Sequence, residues 1–262
     1  MKRLLLATLL ALLAAPAVLF AALVAPAGAE QLVSQVSSEE VAITSSFAGQ
    51  TLTIFGSIEP EAGSKQKFVE GPYHVVITVT GPLQKRVARK MTNQFGIWIN
   101  TQQAVFEEFP SFYQVLSDSK LDTITNPVTL AEDSIPLDSI GIGKTAAPYP
   151  QSELFRGELV KLMQRKGQFK LNEQGVIFRS DTFYFAQVAL PSDAPVGSYI
   201  AHTYLFKGGA VVAEKSNGFS VRKIGFERFL GLASHQQPLL YGLVCVMLAL
   251  FTGWLGGVVF RR

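Results

Sequence analysis

Cysteine occurs once in the 262-residue chain, at Cys245, and histidine three times, at His74, His202 and His235. A single thiol permits no disulfide within the chain, so any fold must be held by its apolar core. Three imidazoles without HExxH or comparable spacing give no metal-site signature. No serine lies in Gly-x-Ser-x-Gly, so a nucleophile elbow is missing. Gly141-Ile142-Gly143-Lys144-Thr145 lacks the first glycine of GxxxxGK[ST] and reads as a loop.

A basic surplus is missing as well, despite a pI near 8.9. Lys2 and Arg3 sit at one end and Arg261 and Arg262 at the other. The remaining 19 basic residues face all 20 acidic ones between Glu30 and Pro238, so that stretch is close to neutral. No stripe remains to neutralise phosphates, which excludes nucleic acid as a partner.

Long apolar runs are present at both ends. Lys2-Arg3 is followed by an apolar run from Leu4 to Val24 and then by Pro26-Ala27-Gly28-Ala29. That is the layout of an export signal over 1–29, with cleavage expected between Ala29 and Glu30; an uncleaved N-terminal anchor is the alternative. Leu239 to Phe260 carries no charge over 22 residues. As a helix it spans about 33 Å, enough to cross a bilayer. Tyr241 and Trp254 lie near its ends, as interfacial aromatics do, and Arg261-Arg262 place the C-terminus inside.

Between the ends, 30–221 reads as mainly β. Val41–Phe47 and Thr51–Phe55 are strand-like around the turn Ala48-Gly49-Gln50. Gly71-Pro72 and Gly81-Pro82 bracket a β-branched run from Tyr73 to Thr80. Arg86–Met91, Gly96–Asn100, Ala104–Phe106 and Phe112–Leu116 are further strand candidates. Helical signals occupy about 120–170: Asn126-Pro127 as N-cap and first position, then a helix capped by Ser152 with Phe155, Leu159, Leu162 and Met163 on one face, stopped by Gly167. Strands resume at Val176–Phe178, Thr182–Leu190 and Ser198–Phe206. Lys207-Gly208-Gly209 makes a hairpin turn into Ala210–Ala213, and Phe219–Val221 closes the set. This spacing predicts an immunoglobulin-like β-sandwich with a helical insertion, plus one C-terminal transmembrane helix.

Val41–Phe47, Phe55-Gly56, Gly81-Pro82, Gly96-Ile97-Trp98-Ile99-Asn100, Pro110–Tyr113 and Pro195–Tyr199 follow one another in a recognisable order before the C-terminal anchor. In that order the chain resembles the uncharacterised transmembrane protein family of alphaproteobacteria. The resemblance implies an inner-membrane location and no particular reaction. It also suggests, by association, a permease of the sulfite-exporter type as a partner.

The remaining candidates are weighed singly. His74 and His202 fall in expected strands and could meet across a sheet; as lone strand histidines they read first as packed residues. Glu39-Glu40 and Glu107-Glu108 are sequence neighbours that point to opposite faces of a strand and read as solvated surface. Trp98 reads as core. The juxtamembrane segment 222–238 offers Arg222, Lys223, Phe226, Arg228 and Phe229 as an interfacial collar, joined on the inner side by Arg261 and Arg262; a connector packed on the sandwich is the alternative. In the segment 239–260, Cys245, Ala249, Gly253 and Gly257 recur every four residues and expose a small-residue face for another helix. The expected function is an accessory or interaction protein of the inner membrane, without catalysis, cofactor or metal. Its partners would be the bilayer and another membrane protein or a second copy. A solute sensor is the alternative, and an envelope enzyme of unknown type the third reading.

Overall fold

The computed structural model describes residues 30–44, 48–60, 69, 71–141 and 151–259, and for 226–228 the backbone alone. The expected export signal, the Gly143-Lys144-Thr145 loop, Arg261 and Arg262, and the side chains of Phe226 and Arg228 lie outside the described residues.

Two sheets face each other. One holds β1 (Glu30–Val36), β3 (Gln50–Pro60), β10 (Phe183–Leu190) and β9 (Val176–Phe178), in the order β1-β3-β10-β9. The other holds β2 (Glu40–Ile43), β12 (Ala210–Lys223), β11 (Gly197–Lys207), β4 (His74–Thr80), β7 (Tyr113–Ser117) and β8 (Phe169–Asn172), in the order β2-β12-β11-β4-β7-β8. Most neighbours are antiparallel, but β2 runs parallel to β12 and β8 parallel to β7, so both edges of the larger sheet are parallel pairs.

The alternation in β3 decides which side chains enter the core. Leu52, Ile54 and Ile58 point inward and join Val75, Ile77 and Val79 of β4 and Tyr199, Ala201 and Leu205 of β11 in one buried cluster. Fully burying such a side chain is worth about 1.5–3 kcal/mol, and many such contributions hold a domain with no disulfide.

β4 is buried on both faces, from Val75 to Val79. Its outer face is covered by a second cluster in which Val76, Val115, Tyr204 and Phe206 meet Phe106, Phe109 and helical residues. That double burial explains an apolar run where a half-exposed strand would alternate. The helices are α1 (Leu121–Ile124), α2 (Pro127–Glu132) and α3 (Gln151–Arg165), with a 3-10 turn at Leu137–Ser139. Asn126 caps α2 as expected, its side chain accepting from Thr129 N–H at 2.9 Å. Gly167 follows the end of α3 in the left-handed region.

Several expectations need correction. Ser152 does not cap α3: the helix already includes Gln151, and Ser152 is buried in its first turn. Leu162 is 45% exposed; the buried face is Phe155, Leu159, Val160 and Met163. Ala210–Ala213 and Phe219–Val221 are two stretches of one strand, β12, because β11 is long enough to pair with it from Ala210 to Val221.

The largest correction concerns 83–110. The three separate pieces proposed for 86–106 are one two-stranded hairpin, β5 (Leu83–Gln94) with β6 (Ile97–Pro110), and Phe95-Gly96 is its turn rather than the start of a strand. Its inner face near the root, Ala88, Ala104 and Phe106, packs into the second cluster. From Arg89 to Gln103 every residue except Thr92 is exposed. Trp98 is 62% exposed in this arm and is not core.

The chain then passes from β12 into α4 (Phe226–Gln236) and α5 (Pro238–Val259). Among the described residues α5 is the one helix long and apolar enough to cross a membrane, with a mean hydropathy of 2.1 and none of its window buried.

Candidate functional site

The two strand histidines do not meet. His74 pairs with Phe206 across β4 and β11, while His202 pairs with Thr78. They share a face, but four residues of strand separate them, about 13 Å. Each has a local partner. His74 Nδ1 lies 2.7 Å from Asp118 Oδ2, and Asp118 Oδ1 accepts from Val75 N–H at 2.7 Å. Ser119 also donates to Asp118 Oδ2, at 3.0 Å. The carboxylate thus clasps the start of β4 to the end of β7. His202 Nδ1 lies 2.7 Å from Ser216 Oγ on β12, and its ring stacks on Tyr204.

His202 nevertheless borders a cleft of ≈ 280 Å³ on the outer face of the larger sheet, with Thr78, Thr80, Tyr113, Asp133 and Tyr204. Tyr113 is fixed there, its hydroxyl 3.0 Å from Ser134 O and 3.1 Å from Ile135 O. Burial pushes the Tyr113 phenol up, helped by Tyr204. Burial also pushes the Asp133 carboxyl up, and Glu214 and Glu132 add to it. The Tyr204 phenol rises by burial and by the charges of Asp133 and Glu214. A carboxyl of raised pKa, and so a weaker acid than usual, beside the fixed Tyr113 phenol is suited to hold a proton. A groove of ≈ 490 Å³ between β5 and α3 is lined mostly by apolar groups, among them Val87, Leu154, Leu159 and Leu162, with Arg89, Lys90 and Glu158 beside them. Among the described residues no group of three or more His, Cys, Asp or Glu could hold a metal.

A polar cluster marks the start of the described chain. Lys207 Nζ lies 2.8 Å from Glu30 Oε1, the Tyr73 hydroxyl donates to the same oxygen at 3.0 Å, and the Lys207 ammonium sits over the Tyr73 ring. Burial alone raises the Glu30 carboxyl, but the hydrogen bonds and charge of Lys207 and the Tyr73 hydroxyl outweigh it and hold the group below its ordinary 4.5. A carboxyl lowered in the folded state stabilises above its unfolded pKa, and that contribution is lost as pH falls through the folded value. Glu30→Gln should therefore lower the melting temperature at pH 7, by less than about 1 kcal/mol of stability for this partly solvated pair. The gap to the parent should close as pH falls through the lowered folded-state pKa of Glu30, below which the side chain is neutral in both chains. An unchanged gap in acid would show that packing, not charge, is responsible.

The membrane segment carries the remaining candidates. Cys245, Ala249, Gly253 and Gly257 fall on one side of α5 and all are exposed. A methyl group added at Gly253 or Gly257 would meet no atom within 4 Å. Arg222 and Lys223 end β12 on the surface. Phe229 and Leu232 of α4 are 64% and 45% exposed.

Sequence reading missed Asp118, Asp133 and the hairpin arm. The arm had a signal: Asn93-Gln94-Phe95-Gly96 contains an X-Gly pair flanked by two strand-like runs.

A family model described as "Putative transmembrane protein (Alph_Pro_TM)" matches residues 31–262. No curated protein matches the chain. The chain belongs to this transmembrane family, as the order of its motifs led us to expect.

Proposed function

Starting from that membership, we propose that the chain is a non-catalytic accessory protein of the inner membrane, with its β domain in the periplasm and its C-terminus in the cytoplasm. The small-residue face of α5 docks the helix of another membrane protein, a sulfite-exporter-type permease by association, or a second copy of this chain. The observation that carries the reading is the open face at Gly253 and Gly257, with nothing packed against it. In lipid, close approach rather than hydrophobicity drives helix association, and small residues permit it. A solute sensor at the His202 cleft draws less support, because its ≈ 280 Å³ is at or below the low end of ordinary ligand pockets.

Gly253→Leu/Gly257→Leu should insert normally, since leucine inserts well, yet lose at least about tenfold in association, the cost of roughly 1.4 kcal/mol of packing. Co-purification in mild detergent and crosslinking through Cys245 both read it. Wild-type association by both assays would leave α5 as an anchor only.

The orientation is tested separately. Protease added to spheroplasts should digest the β domain of a chain cleaved after Ala29, as positive-inside placement of Arg261 and Arg262 requires. A domain protected in intact spheroplasts would reverse the topology.

A further inference from the structure

We propose that the β5–β6 hairpin is a second membrane contact, its tip inserting among the headgroups of the same anionic bilayer that α5 enters. This goes beyond the docking role of α5 and does not depend on it.

The tip carries large exposed apolar side chains on both faces, interleaved with the uncharged polar residues Asn93, Gln94 and Asn100. Phe95 is fully exposed at the turn, and Ile97, Trp98, Ile99 and Met91 are 66%, 62%, 41% and 54% exposed. Ile97 and Ile99 lie on one face, while Trp98 and Met91, which pairs with Asn100, lie on the other. A strand pair that docks on a protein surface needs one apolar face. A tip with aromatic and aliphatic side chains on both faces and at its end, mixed with uncharged polar ones, matches the interfacial layer of a bilayer that surrounds it.

Phe95 strengthens the case. Its φ is +54°, a left-handed conformation that bulky residues avoid and that asparagine takes readily. The turn would form more easily with a polar residue there. An aromatic kept in that conformation, in full exposure, gains nothing inside the folded domain, and such strain is the mark of a functional contact.

Charge and reach select lipid. Arg86, Arg89 and Lys90 are the only charged residues from Arg86 to Phe106. Arg89 and Lys90 are exposed behind the tip and take part in no ion pair among the described residues. Basic residues behind interfacial aromatics fit anionic headgroups. The root of the hairpin follows Thr80, which pairs with Ile200, and Ile200 pairs with Gly218. That is the end of the larger sheet at which β12 leaves for α4 and α5. β5 is about 40 Å long over its twelve residues, and in the proposed arrangement its outer half is directed at the bilayer that begins near Pro238.

The test uses the full chain, whose only tryptophans are Trp98 and Trp254. Trp254→Phe leaves Trp98 as sole reporter in vesicles of phosphatidylethanolamine and phosphatidylglycerol. The tip should lie about 5–10 Å deep, so a spin label near the headgroup should quench Trp98 at least about twofold more than one at the bilayer centre. Acrylamide in the buffer should quench it weakly. Arg89→Gln/Lys90→Gln, or vesicles of phosphatidylcholine, should reduce the lipid quenching. A companion Trp98→Phe chain, reporting from Trp254, verifies insertion of α5. Trp98 open to acrylamide in an inserted chain overturns the proposal. So does shielding from both quenchers that grows with protein-to-lipid ratio, which would assign the tip to a second copy of the chain.

Discussion

Gly56→Ala is expected to cost about 3 kcal/mol or more, the upper end of what overpacking a core does. Gly56 lies in β3, between Ser34 of β1 and Tyr184 of β10. The Tyr184 ring is fully buried and lies across the glycine, its hydroxyl donating to Val33 O at 3.4 Å. A Cβ at Gly56 would stand 2.7 Å from Tyr184 Cζ and would overlap the Val33 carbonyl oxygen as well. The carbonyl is backbone and cannot swing aside, so β1 must separate from β3 or the tyrosine must leave the core. Thermal unfolding of the detergent-solubilised chain, followed by circular dichroism, reads the loss. Tyr184→Leu in the Gly56→Ala background should recover part of the ring clash and none of the carbonyl clash. The double variant should therefore be less destabilised than the sum of the two singles. Strict additivity would mean that the ring and the new methyl do not compete for one space.

Two phenylalanines of one hairpin should answer mutation in opposite ways. Phe109 near the root is fully buried, stacked on Phe169 and edge-on to Phe106, both at 5.7 Å between ring centres. Gly141 packs against its ring. Phe109→Ala removes the centre of the second cluster and should cost about 3–5 kcal/mol. Phe95→Asn at the tip of the same hairpin removes no packing and relieves a left-handed aromatic. It should leave stability unchanged or raise it by about 1 kcal/mol. Unfolding curves of the two variants in one detergent compare them directly. A loss at Phe95 comparable with that at Phe109 would mean that the tip is packed in solution.

Those two residues also show what a sequence can convey. The strands around Tyr73–Thr80 and Ser198–Phe206 are legible because β-branched runs between Gly-Pro or Gly-Gly signals have few other uses. Asn126-Pro127 is legible because its capping chemistry is local. Trp98 was misread for a related reason: an aromatic in a β-rich segment is core in most settings, and only the pairing of β5 with β6 shows that its segment leaves the sheet. Pairing is a long-range property that spacing does not carry. Ser152 misled because a residue suited to cap a helix also fits buried in its first turn. The histidines could be placed on strands but not in register, and a four-residue offset is what keeps them apart. Asp118 and Asp133 drew no notice because nothing local distinguishes an acid that clasps a strand end from one in solvent.

β12 is the strand from which the membrane helix hangs, and its neighbours fix how the domain bears a load. It pairs antiparallel with β11 over eleven positions, from Gly197↔Val221 to Lys207↔Ala210, and parallel with β2 over four more. Ile224 N–H extends the second ladder to Ile43 O at 3.0 Å. Tension from the bilayer pulls β12 lengthwise between these two ladders. Hydrogen bonds of the antiparallel ladder lie perpendicular to the pull and those of the parallel one slant across it, so they are strained together, as rivets in a lap joint are, and do not open in turn as a zip does. Drag on the anchor is therefore spread along the length of the larger sheet before any single bond carries it.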